Sequence, residues 1–317
     1  MAEMLPPGVE TRELRHADLP SFEPVILSGI GTLERAIGLD QTAAPMLRSL
    51  RRPGIWILFR LFRALGRAIR ILVRVEQGRV VGTVSVIPRK TVGVIVGVAT
   101  DPSARGRGIA TQLLEAAHRL VRAKGIPRLA LDVDTDNETA LRVYRRLGYQ
   151  EVARFAWFVG APPSEADPNP TELRTVPRSQ LRPLLPWIDA HRPPEVRAPY
   201  PATPRRLSHL EMLFSLPGTT WRTWQLSRAE GPVAVVRAAY SRMNTTAYLI
   251  PAAWDPSLPS EAYRGLLLPG IAWARSVGAN RIACAVPDPP GPWEPALGAL
   301  GLGRSASSTM MTRPTGP

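Results

Sequence analysis

The run Val98-Ala-Thr-Asp-Pro-Ser-Ala-Arg-Gly-Arg-Gly-Ile-Ala110 alternates arginine and glycine at Arg105, Gly106, Arg107 and Gly108 before an apolar pair, Ile109 and Ala110. Those residue types suit a phosphate. A phosphate is held best by several backbone N–H groups at the positive end of a helix, with glycine wherever a Cβ would block the approach. Guanidinium groups beside it neutralise the charge. A glycine-rich loop can also simply turn a chain, and arginines on a loop are commonly just solvated. Asn137 and Tyr144 follow downstream, seven residues apart on one predicted helix, which is about two turns, so they point the same way. Taken singly they read as a helix cap and a packed aromatic. Asp132 and Asp134 alternate with Leu131 and Val133 and share one sheet face, and Glu76 ends another strand. These carboxylates could accept a proton, although capping or surface duty is their ordinary use.

Positioning these residues requires a particular series of elements. Ile69 to Glu76 alternates like a half-buried strand, Gln77-Gly78 turns the chain into a second strand over Val80 to Ile87, and Thr91 to Ala99 supplies a nearly all-apolar third. Ile109, Leu113, Ala116, Ala117, Leu120 and Val121 recur at helical spacing until Gly125 and Pro127 stop the helix. Arg128 to Val133 reads as a strand. Thr135 to Glu138 has capping-box form and opens a second helix that carries Ala140, Val143, Tyr144 and Leu147 and ends at Gly148. Glu10 to Asp18 could be an opening strand. The order is that of an α/β (α+β) domain with helices packed on a sheet. Between the opening strand and the meander, Arg51 to Arg67 sets Ile55 to Phe59 as a continuous apolar run and Arg60, Arg63 and Arg67 on one helical face. That is expected to be a core-packed helix with a solvated arginine face; the other reading is a helix lying on a membrane surface.

The loop at Arg105, Gly108 and Ala110, together with Asn-x-x-Ala-x-x-x-Tyr-x-x-x-Gly-Tyr from Asn137 to Tyr149, resembles the acetyl-coenzyme A signature of the GNAT superfamily. The resemblance implies a mixed, mainly antiparallel central sheet flanked by helices, and an N-acetyltransferase that passes an acetyl group from acetyl-coenzyme A to a primary amine of a small molecule, peptide or protein. It also implies site residues. Val98, Ala99 and Thr100 would bind the pantetheine arm and polarise the thioester carbonyl. Arg105, Gly106, Arg107, Gly108, Ile109 and Ala110 would hold the pyrophosphate, and Asn137 would hydrogen-bond the arm. Tyr144 would sit near the sulfur as general acid. The third strand carries no carboxylate where many relatives have their base, so the base falls to candidates such as Asp134. No metal is expected. The alternative function is a non-catalytic acyl-coenzyme A sensor or scaffold.

The second half repeats the first. At an offset of 153, Gly78 falls on Gly231, Arg122 on Arg275, Gly125 on Gly278, Arg128-Leu-Ala130 on Arg281-Ile-Ala283, and Leu147-Gly148 on Leu300-Gly301; one residue further, Asp101-Pro-Ser103 falls on Asp255-Pro-Ser257. Such spacing marks a tandem duplication. The second copy replaces the Arg-Gly run with Leu258-Pro-Ser-Glu-Ala-Tyr263 and sets Pro290 and Leu297 at the Asn137 and Tyr144 positions, so its cofactor site is expected to be degenerate. The expected organisation is a catalytic domain over 1–160, a proline-rich linker over 161–170, and a GNAT-like domain over 171–317. If the second copy docks across the first, the acceptor cleft would lie near Trp254 and Tyr263.

The remaining composition mostly excludes. The chain has 317 residues with 44% apolar and 21% charged, which is globular. A single cysteine, Cys284, allows no internal disulfide, and no Cys/His cluster has zinc spacing. A reducing, cytoplasmic setting and no transmembrane segment are expected. Net charge is +14, with arginine supplying nearly all the cations, yet no nucleic-acid-binding motif accompanies it. Acetyl-coenzyme A and an unidentified amine are the expected partners, and the sequence leaves oligomeric state open.

Overall fold

The computed structural model of the chain describes residues 8–64, 69–163, 173–208 and 218–316. The first repeat runs β1 (Val9–Glu13), α1 (Leu19–Leu27), α2 (Thr32–Ala36), α3 (Asp40–Leu50), α4 (Pro53–Ala64), β2 (Arg70–Glu76), β3 (Arg79–Pro88), β4 (Gly93–Thr100), α5 (Ile109–Arg122), β5 (Arg128–Asp134), α6 (Glu138–Arg146) and β6 (Gln150–Gly160). The second runs β7 (Arg174–Thr175), α7 (Leu185–Ala190), α8 (Pro194–Arg197), β8 (Thr219–Arg228), β9 (Gly231–Ser241), β10 (Thr246–Trp254), α9 (Ser260–Ser276), β11 (Arg281–Pro287), α10 (Trp293–Gly298) and β12 (Gly303–Pro314). Each repeat therefore holds the same succession from its three-stranded meander onward. The expected linker lies for the most part outside the described residues, from 164 onward.

The chain forms two compact units that do not divide it at one point. The first comprises Met1–Arg35, Leu39–Glu151 and Met310–Pro317; the second comprises Ala36–Gly38 and Val152–Thr309. In the first unit β1 to β4 are antiparallel neighbours in sequence order, and β5 joins β4 in parallel. Both sheet faces are covered, which is why its strands read as nearly unbroken apolar runs. Leu72, Val84, Val86 and Ile95 pack with Leu113, Leu114, Ala117 and Val121 of α5 and with Leu141 and Tyr144 of α6. Ile71, Val73, Val75 and Val80 pack on the other face with Leu19, Phe22 and Val25 of α1, Leu47 of α3 and Trp56 of α4.

The last residues of the chain complete this unit. Met311 is fully buried in the cluster around α5. Arg313 Nη1 donates to Glu115 Oε1 at 3.0 Å, and Thr315 donates its amide to Pro127 O at 3.0 Å and its hydroxyl to Ile126 O at 2.5 Å. In the second unit β6 pairs antiparallel with β11, from Ile282 opposite Gly160 to Pro287 opposite Phe155. Its core gathers around α9, whose Leu266, Leu267 and Ile271 are wholly or almost wholly buried.

The arginine-faced helix expected within 51–67 is present as α4, which starts at Pro53 and is described as far as Ala64, and its burial differs from expectation. Trp56 is buried and Phe59 half-buried, whereas Ile57, Leu58 and Leu61 are exposed. Ile55 to Phe59 thus wraps around the helix instead of forming one inward face. Arg67 lies outside the described residues. The helix after β5 starts at Glu138, and its cap is Asn137 in place of the expected Thr135.

Candidate active site

The loop between β4 and α5 takes its shape from local chemistry. Asp101 Oδ1 receives the Ser103 amide at 2.9 Å and the Ser103 hydroxyl at 2.6 Å, which turns the chain out of the strand. Gly106 and Gly108 then adopt left-handed backbone, φ +77° and +75°, and Gly108 occupies the N-cap position of α5. No protein atom lies within 4 Å of where a Cβ on either glycine would stand. Conformation, not crowding by the protein, calls for glycine here. Among the described residues, the amides of Gly106 to Ala110 find no backbone acceptor, so five donors stand together at the positive end of a 14-residue helix. This is the cradle a pyrophosphate requires.

The two arginines behave differently. Arg105 is exposed, with Nε 3.4 Å from Thr100 O, whereas Arg107 Nη2 donates to Glu76 Oε2 at 2.8 Å. Glu76 also meets Arg74 Nε at 3.5 Å, so this candidate proton acceptor is engaged by two cations.

Beside the loop, β4 and β5 diverge. They pair only at Gly93 with Leu129 and Val94 with Ala130, after which no further pairs form between them. The register of β4 against β3 also slips between Ser85 opposite Val96 and Thr83 opposite Ala99, a bulge at Gly97, where φ is +60°. Val96, Val98 and Thr100 remain partly exposed on this edge. An unpaired strand edge offers N–H and C=O groups to an extended ligand, as Val98, Ala99 and Thr100 were expected to do. In the second unit β10 and β11 stay paired over four residues, Thr246 with Arg281 through Leu249 with Cys284.

Asn137 is exposed and receives the Ala140 amide on Oδ1 at 3.1 Å, the capping part. Tyr144, two turns further on, is buried with its ring edge-on to Tyr149 at 5.7 Å between centroids. Burial first, then the charge of Glu34, pushes the Tyr144 phenol up from its ordinary value. Asp134 receives the amides of Thr32 on Oδ2 at 2.7 Å and Leu33 on Oδ1 at 3.3 Å, so both its oxygens cap α2. Glu34 Oε2 receives the Gly31 amide at 2.9 Å. The first turn of α2 is therefore capped by two carboxylates, one from its own third position and one from β5. Burial raises both pKa values, and Asp134 raises that of Glu34 further.

Sequence reasoning missed Glu34. A Gly31-Thr-Leu-Glu34 turn signals a half capping box, but its proximity to Tyr144 depends on tertiary folding. Asp132 was seen as Asp134's companion; burial alone pushes it up to about 7, and its Oδ1 is buried without a hydrogen-bond partner.

Residues 43–149 match the Acetyltransferase (GNAT) family. The first repeat carries a GNAT acetyltransferase domain. The GCN5-related N-acetyltransferase from Sphaerobacter thermophilus superposes with a TM-score of 0.67 at 16% identity, covering 99% of this chain and 98% of its own. A tandem GNAT protein from the clavulanic acid biosynthesis pathway superposes at 0.58 with 15% identity over 98% and 99% of the two chains. A putative acetyltransferase from Pyrococcus horikoshii gives 0.57 with 12% identity over 99% and 92%. At such identities these likenesses establish the fold. GNAT domains transfer acyl groups from acyl-coenzyme A, and no group of metal-ligating side chains occurs among the described residues.

The second GNAT-like copy keeps the turn and loses the cradle. Asp255 Oδ1 receives the Ser257 amide at 2.8 Å, just as Asp101 serves Ser103. Pro259, extended at φ −64°, then caps α9 where Gly108 caps α5. Tyr263 and Trp254 pack edge-on to Trp293 at 4.7 and 5.1 Å. Tyr263 and Trp293 are each only 2% exposed, so the expectation of an acceptor cleft beside Tyr263 gives way to an aromatic core. A cavity of about 670 Å³ in the second unit is lined by Arg178, Arg182, Arg205 and Arg206 and includes none of the expected site residues.

Proposed function

We propose that the chain is an N-acetyltransferase whose first repeat binds acetyl-coenzyme A and acetylates a primary amine of a small molecule, peptide or protein, while the second copy is non-catalytic. The observation that carries this reading is the left-handed Gly106/Gly108 loop with unpaired amides at the α5 N-terminus, beside the divergent β4 and β5. When bound, acetyl-coenzyme A supplies an activated thioester. The amides of Gly106 to Ala110 and the Arg105 side chain hold its pyrophosphate, and Arg107 joins them by leaving Glu76. Val98 to Thr100 orient the arm through their open edge, and Asn137 lies alongside.

Tyr144 gives its phenolic proton to the departing sulfur. Its raised pKa keeps it protonated at neutral pH but makes that transfer uphill, so it proceeds together with breaking of the C–S bond. The amine must lose a proton as it attacks, and Glu34 takes it. Glu34 is the carboxylate whose charge bears on Tyr144, whereas Asp134, with both oxygens on α2 amides, holds the helix that carries Glu34. A cytoplasmic setting fits the acyl donor.

Titration of acetyl-coenzyme A into the wild type and Gly108→Glu is the direct test. One site per chain in the wild type, lost in the variant through clash and like charge, is the expected outcome. Absence of heat with the wild type overturns the proposal.

A further inference from the structure

Among the described residues, four of the five large apolar side chains left exposed gather on one helical pair, Met46 on α3 at 38% and Ile57, Leu58 and Leu61 on α4 at 58%, 53% and 58%; the fifth, Met243 at 40%, stands alone between β9 and β10. The inward side of α4 is already satisfied, because Trp56 and Phe59 pack into the core formed with α1 and β2. At 3.6 residues per turn, Ile57, Leu58 and Leu61 fall within an arc of about 100° on the outward side. Helix α4 is thus apolar on two sides, and a solvated helix has no use for the second.

Past Asp40 at the start of α3, the charge that α3 and α4 themselves carry is all positive. The segment 41–69 contains six arginines and no aspartate or glutamate. Arg48, Arg52 and Arg60 are exposed and have no ion-pair partner among the described residues, while Arg51 meets Glu23 at 2.5 Å. A surface that merely faces water, or that matches an ordinary protein partner, mixes charges. A short leucine and isoleucine face flanked by the unpaired guanidinium groups of Arg48, Arg52 and Arg60 matches an anionic lipid surface, where headgroups take the arginines and the acyl boundary takes the apolar side chains. No described helix is long and apolar enough to cross a membrane, so the fit is to lying on the bilayer and not to spanning it. The net charge of +14 draws the whole molecule toward such a surface.

We propose that α4, with the adjoining end of α3, docks the protein on an anionic membrane surface through Ile57, Leu58 and Leu61. The inference is independent of which amine the first repeat acetylates.

The test is co-sedimentation of the full chain with phosphatidylcholine vesicles, with and without about one-third phosphatidylglycerol, at low and high salt. The expected bound fraction is about tenfold higher on the anionic vesicles and falls as salt rises. The double variant Leu58→Glu, Leu61→Glu should bind neither vesicle while melting at the wild-type temperature, since both side chains are exposed. Ile57→Ser is a milder variant that should weaken binding even if the double variant folds poorly. Arg52→Gln with Arg60→Gln should weaken binding and flatten its salt dependence. Equal sedimentation with both vesicle types, or binding untouched by the leucine and isoleucine variants, overturns the proposal. So does a lipid-free dimer that the double variant converts to monomer, because the face would then belong to a second copy of the chain.

Discussion

Tyr144 and Glu34 stand on α6 and α2, more than a hundred residues apart, and folding alone brings the carboxylate's charge onto the phenol. The motif spacing made Tyr144 and Asn137 legible, because seven residues on a helix fix a shared direction whatever the rest of the chain does. It could not reveal Glu34, whose neighbours Asp134 and Tyr144 come from other elements. Tyr144→Phe should leave acetyl-coenzyme A affinity within about threefold while turnover falls by about 10² or more, as expected on removing a general acid. Glu34→Gln should abolish the acidic limb of the rate profile. A base must be unprotonated, so the wild-type rate rises through a pKa held above the ordinary carboxylate value by burial and Asp134. Measuring coenzyme A release against pH decides it; an unchanged limb in Glu34→Gln assigns the base elsewhere. Asp132 makes a separate prediction about stability. Its folded pKa, about 7, exceeds that of the unfolded chain, so the native state holds the proton more tightly. The stability this lends is complete below the ordinary carboxylate value and disappears as pH rises through about 7. Asp132→Asn removes the effect, and its melting temperature should exceed that of the wild type by a margin that widens from pH 5 to pH 8, worth on the order of a few kcal/mol.

Among elements, the strands and helices of the first repeat were readable because apolar period and glycine punctuation agree along β2, β3, β4, α5 and α6. The divergence of β4 from β5 was not, since the apolar run from Thr91 to Ala99 carries no mark of where pairing stops. Gly97 is the device: left-handed at φ +60°, it lets β4 slip one register against β3 and turns Val98 to Thr100 toward an open edge. A Cβ there would meet Ile26 Cδ1 at 2.9 Å, a side-chain end that can move, so the main penalty is conformational, about 1–2 kcal/mol. Gly125, at φ +65° after α5, bears the same conformational constraint with nothing near its Cβ position. Gly97→Ala and Gly125→Ala should therefore lower the melting temperature by similar amounts, but only Gly97→Ala should weaken acetyl-coenzyme A binding, by about tenfold or more. Equal affinities in the two variants would separate the bulge from the site.

At the scale of the whole chain, the repeat was visible in residue spacing, but the assignment of its final strands was not. Strands β6 and β12 each follow a Leu-Gly helix stop and occupy equivalent places in their repeats, so local pattern cannot tell which unit each will join. The structure gives Val152 onward to the second unit and Met310 onward to the first. The unit proposed to bind acetyl-coenzyme A thus includes the segment from Met310 onward. Deleting Met310–Pro317 withdraws buried Met311 from the α5 cluster, the Thr315 bonds to Ile126 and Pro127, and the last part, from Met310 to Pro314, of the strand that neighbours β5. Loss of the methionine side chain alone is worth about 2–5 kcal/mol and each hydrogen bond about 1 kcal/mol, against a total stability of about 5–15 kcal/mol. The shortened chain should lose acetyl-coenzyme A binding, become protease-sensitive within residues 70–150, and aggregate through the exposed β5 edge. The point variant Met311→Ala should keep binding but melt earlier. Retention of wild-type affinity and protease resistance in the shortened chain would mean that the first unit closes without its part of β12.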